Sequence, residues 1–297
     1  MQRAVVVISL CILVAACSRT RLAYDNADWL LERYAVKTID ISADQREQWR
    51  PVLTHVLQQH HRIELPQLVA YLDLATHISS QTDPATSAAC LVDGAMGIAR
   101  RHAQLAIDLA VPLLADLDTA QISHLREHMK QRQQELVERY LDADLEERRT
   151  KRQARFSDRI ESWIGSMNDD QRQRVENALA RIPDLTPDWL AYREQQTSYL
   201  LDLLEAGAST ETLEAYLNGW WLNQEDRSPE YRRQWRIARL ECIAFLDDLA
   251  PTLTPGQRGK LRKRLGKLRN ELAGLLPADH APVERMAADS TCPFAPA

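Results

Sequence analysis

Apolar residues recur along most of the chain at spacings of three and four. Ile122, Leu125, Met129, Leu136, Tyr140, Leu141 and Leu145 follow helical periodicity, and Phe156, Ile160, Trp163 and Ile164 take it up again further on. Four places carry the same start signal: Ser42 with Gln45, Asp118 with Gln121, Asn168 with Gln171, and Thr254 with Gln257. A short polar side chain at the N-cap accepts an amide hydrogen bond, and a glutamine three residues on can return one to the cap amide. From these starts the pattern predicts helices over about Asp28–Thr38, Ala43–Ser79, Pro84–Leu114, Thr119–Gly165, Asp169–Arg181, Pro187–Ala206, Thr210–Leu222, Pro229–Leu249 and Pro255–Leu275. Pro66 and Pro112 fall inside two of them and should kink or end them. Gly207 is a natural C-terminal stop. The fourth helix is the longest, about 70 Å at 1.5 Å per residue. Its stretch from Glu146 to Arg155 is almost all charged or polar, which predicts a solvent crossing between two packed ends.

The caps do not recur at a fixed period, so the chain is not a simple solenoid. The expectation is an all-α fold, a multi-helix array of antiparallel helical hairpins with one very long central helix. The helical domain spans 28–276. Residues 277–297 are rich in Ala, Pro and Asp without an apolar period and read as a mostly disordered tail.

Composition agrees. Nine glycines in 297 residues are few, because an average protein carries roughly 7%. Sheets joined by tight turns draw on glycine at positive φ, so a strand-rich fold is disfavoured. A net charge of -5 argues against a nucleic-acid partner, which calls for a basic excess.

The first sixteen residues read as a processing segment rather than as structure. Arg3 supplies a positive start, and Ala4 to Val14 is an uncharged run too short to span a bilayer. Val14-Ala15-Ala16-Cys17 then resembles the bacterial lipobox. That resemblance implies cleavage between Ala16 and Cys17, a thioether-linked diacylglycerol on Cys17 and acylation of the new amine. Several acyl chains anchor stably where one is marginal. Ser18, where an aspartate would favour inner-membrane retention, implies sorting to the outer membrane, facing the periplasm. Residues 17–27 read as the lipidated N-terminus and its tether. No cofactor is expected beyond the covalent lipid.

Several segments together resemble an uncharacterised family of all-helical, mainly proteobacterial envelope lipoproteins. They are the lipobox, Leu22-Ala23-Tyr24-Asp25-Asn26-Ala27-Asp28-Trp29-Leu30, the cap from Ser42 to Gln45, and His61-Arg62-Ile63-Glu64-Leu65-Pro66. Trp163 through Arg172 and Leu253-Thr254-Pro255-Gly256-Gln257-Arg258 complete the set. The resemblance implies an all-helical envelope lipoprotein and brings no established activity. A narrower likeness, to periplasmic stress chaperones with Leu-Thr-x-x-Gln motifs, is complete only at Leu253–Gln257.

Candidate chemistry is sparse. His124 and His128 have the four-residue spacing of a metal-binding helix face, though exposed helix residues are the simpler reading. His60, His61 and Glu64 form a second cluster beside Pro66, read mainly as a hydrogen-bonded contact. Arg148, Arg149, Lys151, Arg152 and Arg155 make one basic run, and Arg262, Lys263, Arg264, Lys267 and Arg269 another. Interleaved Glu146, Glu147 and Asp158 favour a solvated face. Contact with anionic headgroups or cell-wall polymers is the functional alternative, with Arg148, Arg149 and Arg152 as its residues. Trp220, Trp221, Tyr231 and Trp235 favour core packing; a partner surface on Trp220, Trp221 and Trp235 is the alternative. Cys90, Cys242 and Cys292 would face an oxidising compartment and permit three pairings. No phosphate loop, nucleophile elbow or CxxC pair is present, and no catalytic residue stands out. The expected role is therefore non-enzymatic binding, as scaffold, adaptor or chaperone-like surface, toward an envelope protein or the cell wall. A peptidoglycan-active hydrolase or a metal-binding envelope protein is the alternative.

Overall fold

All four glutamine caps form. In each, the Ser42, Asp118, Asn168 or Thr254 side chain accepts from the backbone three residues on, and the glutamine side chain accepts from the cap amide. The computed structural model describes residues 17–78, 88–224 and 226–277. Among them are eleven helices and no strand. They are α1 (Cys17–Asp25), α2 (Ala27–Ile39), α3 (residues 43–78), α4 (Ala88–Ala115), α5 (Thr119–Leu141) and α6 (Leu145–Ile164). There follow α7 (Asp169–Arg181), α8 (Thr186–Glu205), α9 (Thr210–Leu217), α10 (Pro229–Leu249) and α11 (Pro255–Ala273). The chain is all-α, as its pattern predicts.

A very long helix is present, but not where the periodicity puts it. The run expected over Thr119–Gly165 breaks after Leu141. Asp144 adopts extended backbone geometry and its carboxylate accepts from Glu147 N, which starts α6 as a new helix. The longest helix is instead α3, with 36 residues. It passes Pro51 and Pro66 without ending. Near Pro66 it does so by a π-turn over His60–Glu64, in which Leu65 N–H reaches His60 O. Pro66 has no N–H to offer Arg62 O, and the widened turn absorbs that missing bond. A second π-turn, Asn218–Asn223, continues α9.

Four apolar clusters hold the helices together. The largest joins α4, α5, α8 and α9 around Ile107, Leu125, Leu200, Leu213 and Leu217. A second packs the C-terminal half of α3 on α11, through Leu65, Val69, Leu72, Leu265, Leu268 and Leu272. A third places Val175 and Ala178 of α7 against Phe245 and Leu249 of α10, with Ile164 of α6. The fourth joins Ala35 of α2, Trp49 and Leu53 of α3 and Leu113 of α4. Burial at these positions is the main driving force of the fold.

The stretch read as a tether is helical over Cys17–Asp25, and Tyr24 packs against the second cluster. Residues 1–16, 79–87 and 278–297 lie outside the described residues, and with them the expected leader and nearly all of the expected tail.

Candidate functional site

The capping glutamines do more than punctuate the sequence. Gln45 and Gln121 meet side chain to side chain, as do Gln171 and Gln257. At the second junction each Nε2 donates to the other's Oε1 over 2.9 Å. Each spare Nε2 hydrogen goes to the loop entering the partner helix, from Gln171 to Thr252 O at 3.1 Å and from Gln257 to Ser166 O at 2.9 Å. Each Oε1 also accepts from its own cap amide. The first junction repeats the arrangement, with Asp116 O and Asp40 O as the loop acceptors. Every donor and acceptor of the four amides is thereby used. Two pairs of helix N-termini are clamped side by side, α3 with α5 and α7 with α11. Adjacent positive helix ends repel, and Asp44, Asp118, Asp169 and Asp170 lie there to offset them.

The π-turn of α3 is a second polar centre. His102 Nδ1 lies 2.8 Å from Ile98 O, which can only accept, so Nδ1 carries the proton and Nε2 accepts. His60 Nε2, 3.2 Å away, therefore donates, and His60 Nδ1 accepts from the Tyr24 hydroxyl at 3.1 Å. A directed chain thus runs from α1 through α3 to α4. Burial, followed by the neighbouring His102 and His61, lowers the His60 pKa to about 4 and keeps the ring neutral. Burial also raises the Tyr24 phenol, which stays a donor. From the same turn His61 donates to Leu275 O at 2.6 Å, and buried Glu64 accepts from Arg101 Nε at 2.8 Å. One short turn therefore holds α1, α4 and the end of α11. The histidines here make protein hydrogen bonds, as the sequence reading favoured.

The elbow between α5 and α6 opens a polar cavity of about 250 Å³. Arg139, Arg148, Lys151 and Arg155 line it, against Glu138, Asp142 and Glu147. Lys151 is 2.6 Å from Glu147, and the Arg155 guanidinium lies 5.5 Å from the Tyr140 ring. Arg148 Nε is buried without a hydrogen-bond partner. A cavity lined by four cationic and three acidic side chains has a small cationic excess and suits an anionic group. Sequence reasoning found Arg148 but missed the cavity, because it ran one helix through the elbow. The available signal was Asp144 three residues before Glu147, the same cap spacing with an acid in place of glutamine.

Other nominated residues have different work. Arg152 is not free for a partner: its guanidinium donates to Ile182 O and Pro183 O, closing the C-terminal end of α7. Trp220 and Trp221 form no surface either. Each is 8% exposed, and the two rings pack edge to face in the largest cluster. Trp235 is half-buried, 5.7 Å from the Arg227 guanidinium, which also lies on Tyr192 and Tyr231. Arg149 remains exposed, 3.9 Å from Glu146. His124 Nε2 donates to Lys37 O at the end of α2. Burial and then Lys37 lower the pKa of His128. Among the described residues no three His, Cys, Asp or Glu side chains are grouped to hold a metal. Cys90 is disulfide-bonded, Cys242 is a free, half-buried thiol, and Cys292 lies outside the described residues.

The fold and these centres define an all-helical protein whose polar residues largely knit helices together. The family model described as Family of unknown function (DUF6279) matches residues 37–232, and the chain belongs to that family. The matched span contains the first glutamine junction, the π-turn of α3 and the elbow cavity. No curated protein matches the chain, and no solved structure does.

Proposed function

We propose that this protein is an outer-membrane lipoprotein, anchored by acyl chains on Cys17, that works in the periplasm by binding rather than by catalysis. The lipobox-like Val14-Ala15-Ala16-Cys17 and the serine at position 18 support the anchor and its address. The observation that carries the binding reading is the elbow cavity and its cationic lining of Arg139, Arg148, Lys151 and Arg155. Its ligand would be an anionic group presented by an envelope protein or a cell-wall polymer, held by Arg148 and Arg139. The docked α1 would keep this body close to the bilayer, which suits a scaffold or adaptor.

Two measurements test the reading. Intact mass of the protein from cells reads acylation at Cys17, and Cys17→Ala should move it out of the outer-membrane fraction. In-cell photo-crosslinking from position 139, beside the cavity, should then capture one stoichiometric envelope partner or cell-wall fragments. Arg148→Glu should abolish that capture with the fold intact. Capture unchanged in Arg148→Glu would remove the cavity from the mechanism.

A further inference from the structure

The exposed apolar side chains are unevenly spread. Ten large hydrophobic residues stand exposed among the described residues, and half of them lie between positions 22 and 36: Leu22, Trp29, Leu30, Tyr34 and Val36. Trp29 is the one exposed tryptophan of seven. On α2, at about 100° per residue, Trp29, Arg33 and Val36 fall within about 60° of one another, with Leu30, Tyr34 and Lys37 on the adjoining strip. Leu31, Ala35 and Thr38 point the opposite way, and Ala35 and Thr38 are buried. Among the described residues the helix therefore has one apolar side for the core and a second, aromatic one that stays largely exposed. Isolated exposed hydrophobics need no explanation, but a contiguous patch of this kind marks an interface.

We propose that this second face lies on the phospholipid surface, with Trp29, Leu30, Tyr34 and Leu22 sunk to headgroup depth. The inference rests on the acylation of Cys17, and three observations favour lipid over protein as the occupant. First, α1 and α2 run from Cys17 almost without interruption, so Trp29 is at most about 18 Å along the helices from the acylated residue. A face so near the anchor meets the bilayer before anything else. Second, tryptophan and tyrosine with leucine are the composition that settles at a membrane–water boundary. Third, Arg33 and Lys37 share the face, with the Arg33 guanidinium 5.4 Å from the Trp29 ring, in position to meet lipid phosphates. Tyr24, on the inner side of α1, bonds to His60 and fixes the body on this membrane-facing pair of helices. The protein would then lie against the bilayer by the α1–α2 face in one orientation, rather than swing on a free tether.

The test uses the full-length protein purified from cells and reconstituted in phosphatidylethanolamine–phosphatidylglycerol vesicles that contain brominated phospholipid. Bromine quenches tryptophan only within the lipid, and the other six tryptophans are buried or half-buried. The expected result is a quenched component of the emission that is lost in Trp29→Phe and reduced at least about twofold in Leu30→Glu. Acylated protein whose emission is the same in brominated and ordinary vesicles would overturn the proposal while leaving the anchor intact. Disulfide-linked dimers of Trp29→Cys, with no quenching in the parent protein, would overturn it in favour of a second copy on this face. If intact mass shows no acyl chains, the anchor reading fails. The same chain added to preformed brominated vesicles then decides for the face alone: quenching at Trp29 supports it, and unchanged emission overturns it.

Discussion

Replacing Gln171 by Ala should cost about 3 kcal/mol, more than an ordinary exposed cap. The side chain is fully buried and takes part in four hydrogen bonds, accepting from Asn168 N and Gln257 Nε2 and donating to Thr252 O and Gln257 Oε1. A net contribution of about 1 kcal/mol per bond sets an upper estimate near 4 kcal/mol, and water reaching the vacated helix start returns about 1 kcal/mol of it. Gln257→Ala removes the corresponding set and should also cost about 3 kcal/mol. The two amide–amide bonds are lost in either single variant, so the double variant should cost about 4 rather than about 6 kcal/mol, a coupling of about 2 kcal/mol. Urea unfolding of the four proteins, followed by circular dichroism, measures that cycle. Gln171→Ala combined with Gln121→Ala, one from each junction, should be additive. Additivity within about 0.5 kcal/mol for Gln171 with Gln257 would show that the two amides do not act as a unit, and the clamp argument would fall.

Three further outcomes are expected. The His60 imidazole titrates near 6.5 when unfolded and near 4 when folded, so the unfolded chain takes the proton first as pH falls. Stability should be unaffected by this group above pH 6.5 and fall by up to about 3 kcal/mol between there and pH 4, a slope that His60→Gln removes in urea titrations against pH. Trp221→Ala should destabilise by about 3–5 kcal/mol in the same assay, whereas loss confined to partner binding, with stability unchanged, would return this residue to the surface. Gly165 has φ 86° and an added Cβ would come 2.6 Å from Lys260 Nζ, so Gly165→Ala should lower stability by about 1–2 kcal/mol, and a thermal midpoint equal to the parent would show that α6 can end another way.

The helices and their starts were legible because capping is local. Ser42 and Gln45 are three residues apart, and the bonds between them need nothing else from the chain. Leu141 to Leu145 misled for the same reason. Apolar spacing stays in phase across the elbow, and only the extended backbone at Asp144 separates α5 from α6. The role of Arg152 was hidden because its acceptors, at 182 and 183, lie about thirty residues away on another helix end. Two tryptophans in a row read equally well as core or as surface, and burial settled which.

By itself the sequence determined the all-helical class and the four glutamine caps, both consequences of contacts between near neighbours in the chain. Tertiary structure decided the rest. It paired Gln45 with Gln121 and Gln171 with Gln257, brought His102 to His60 and Tyr24, opened the cavity beside Arg148, and left one aromatic side of α2 exposed among the described residues. Each of these depends on which distant segments pack together. That is fixed by burial summed over four apolar clusters, a non-directional force whose outcome no short motif encodes.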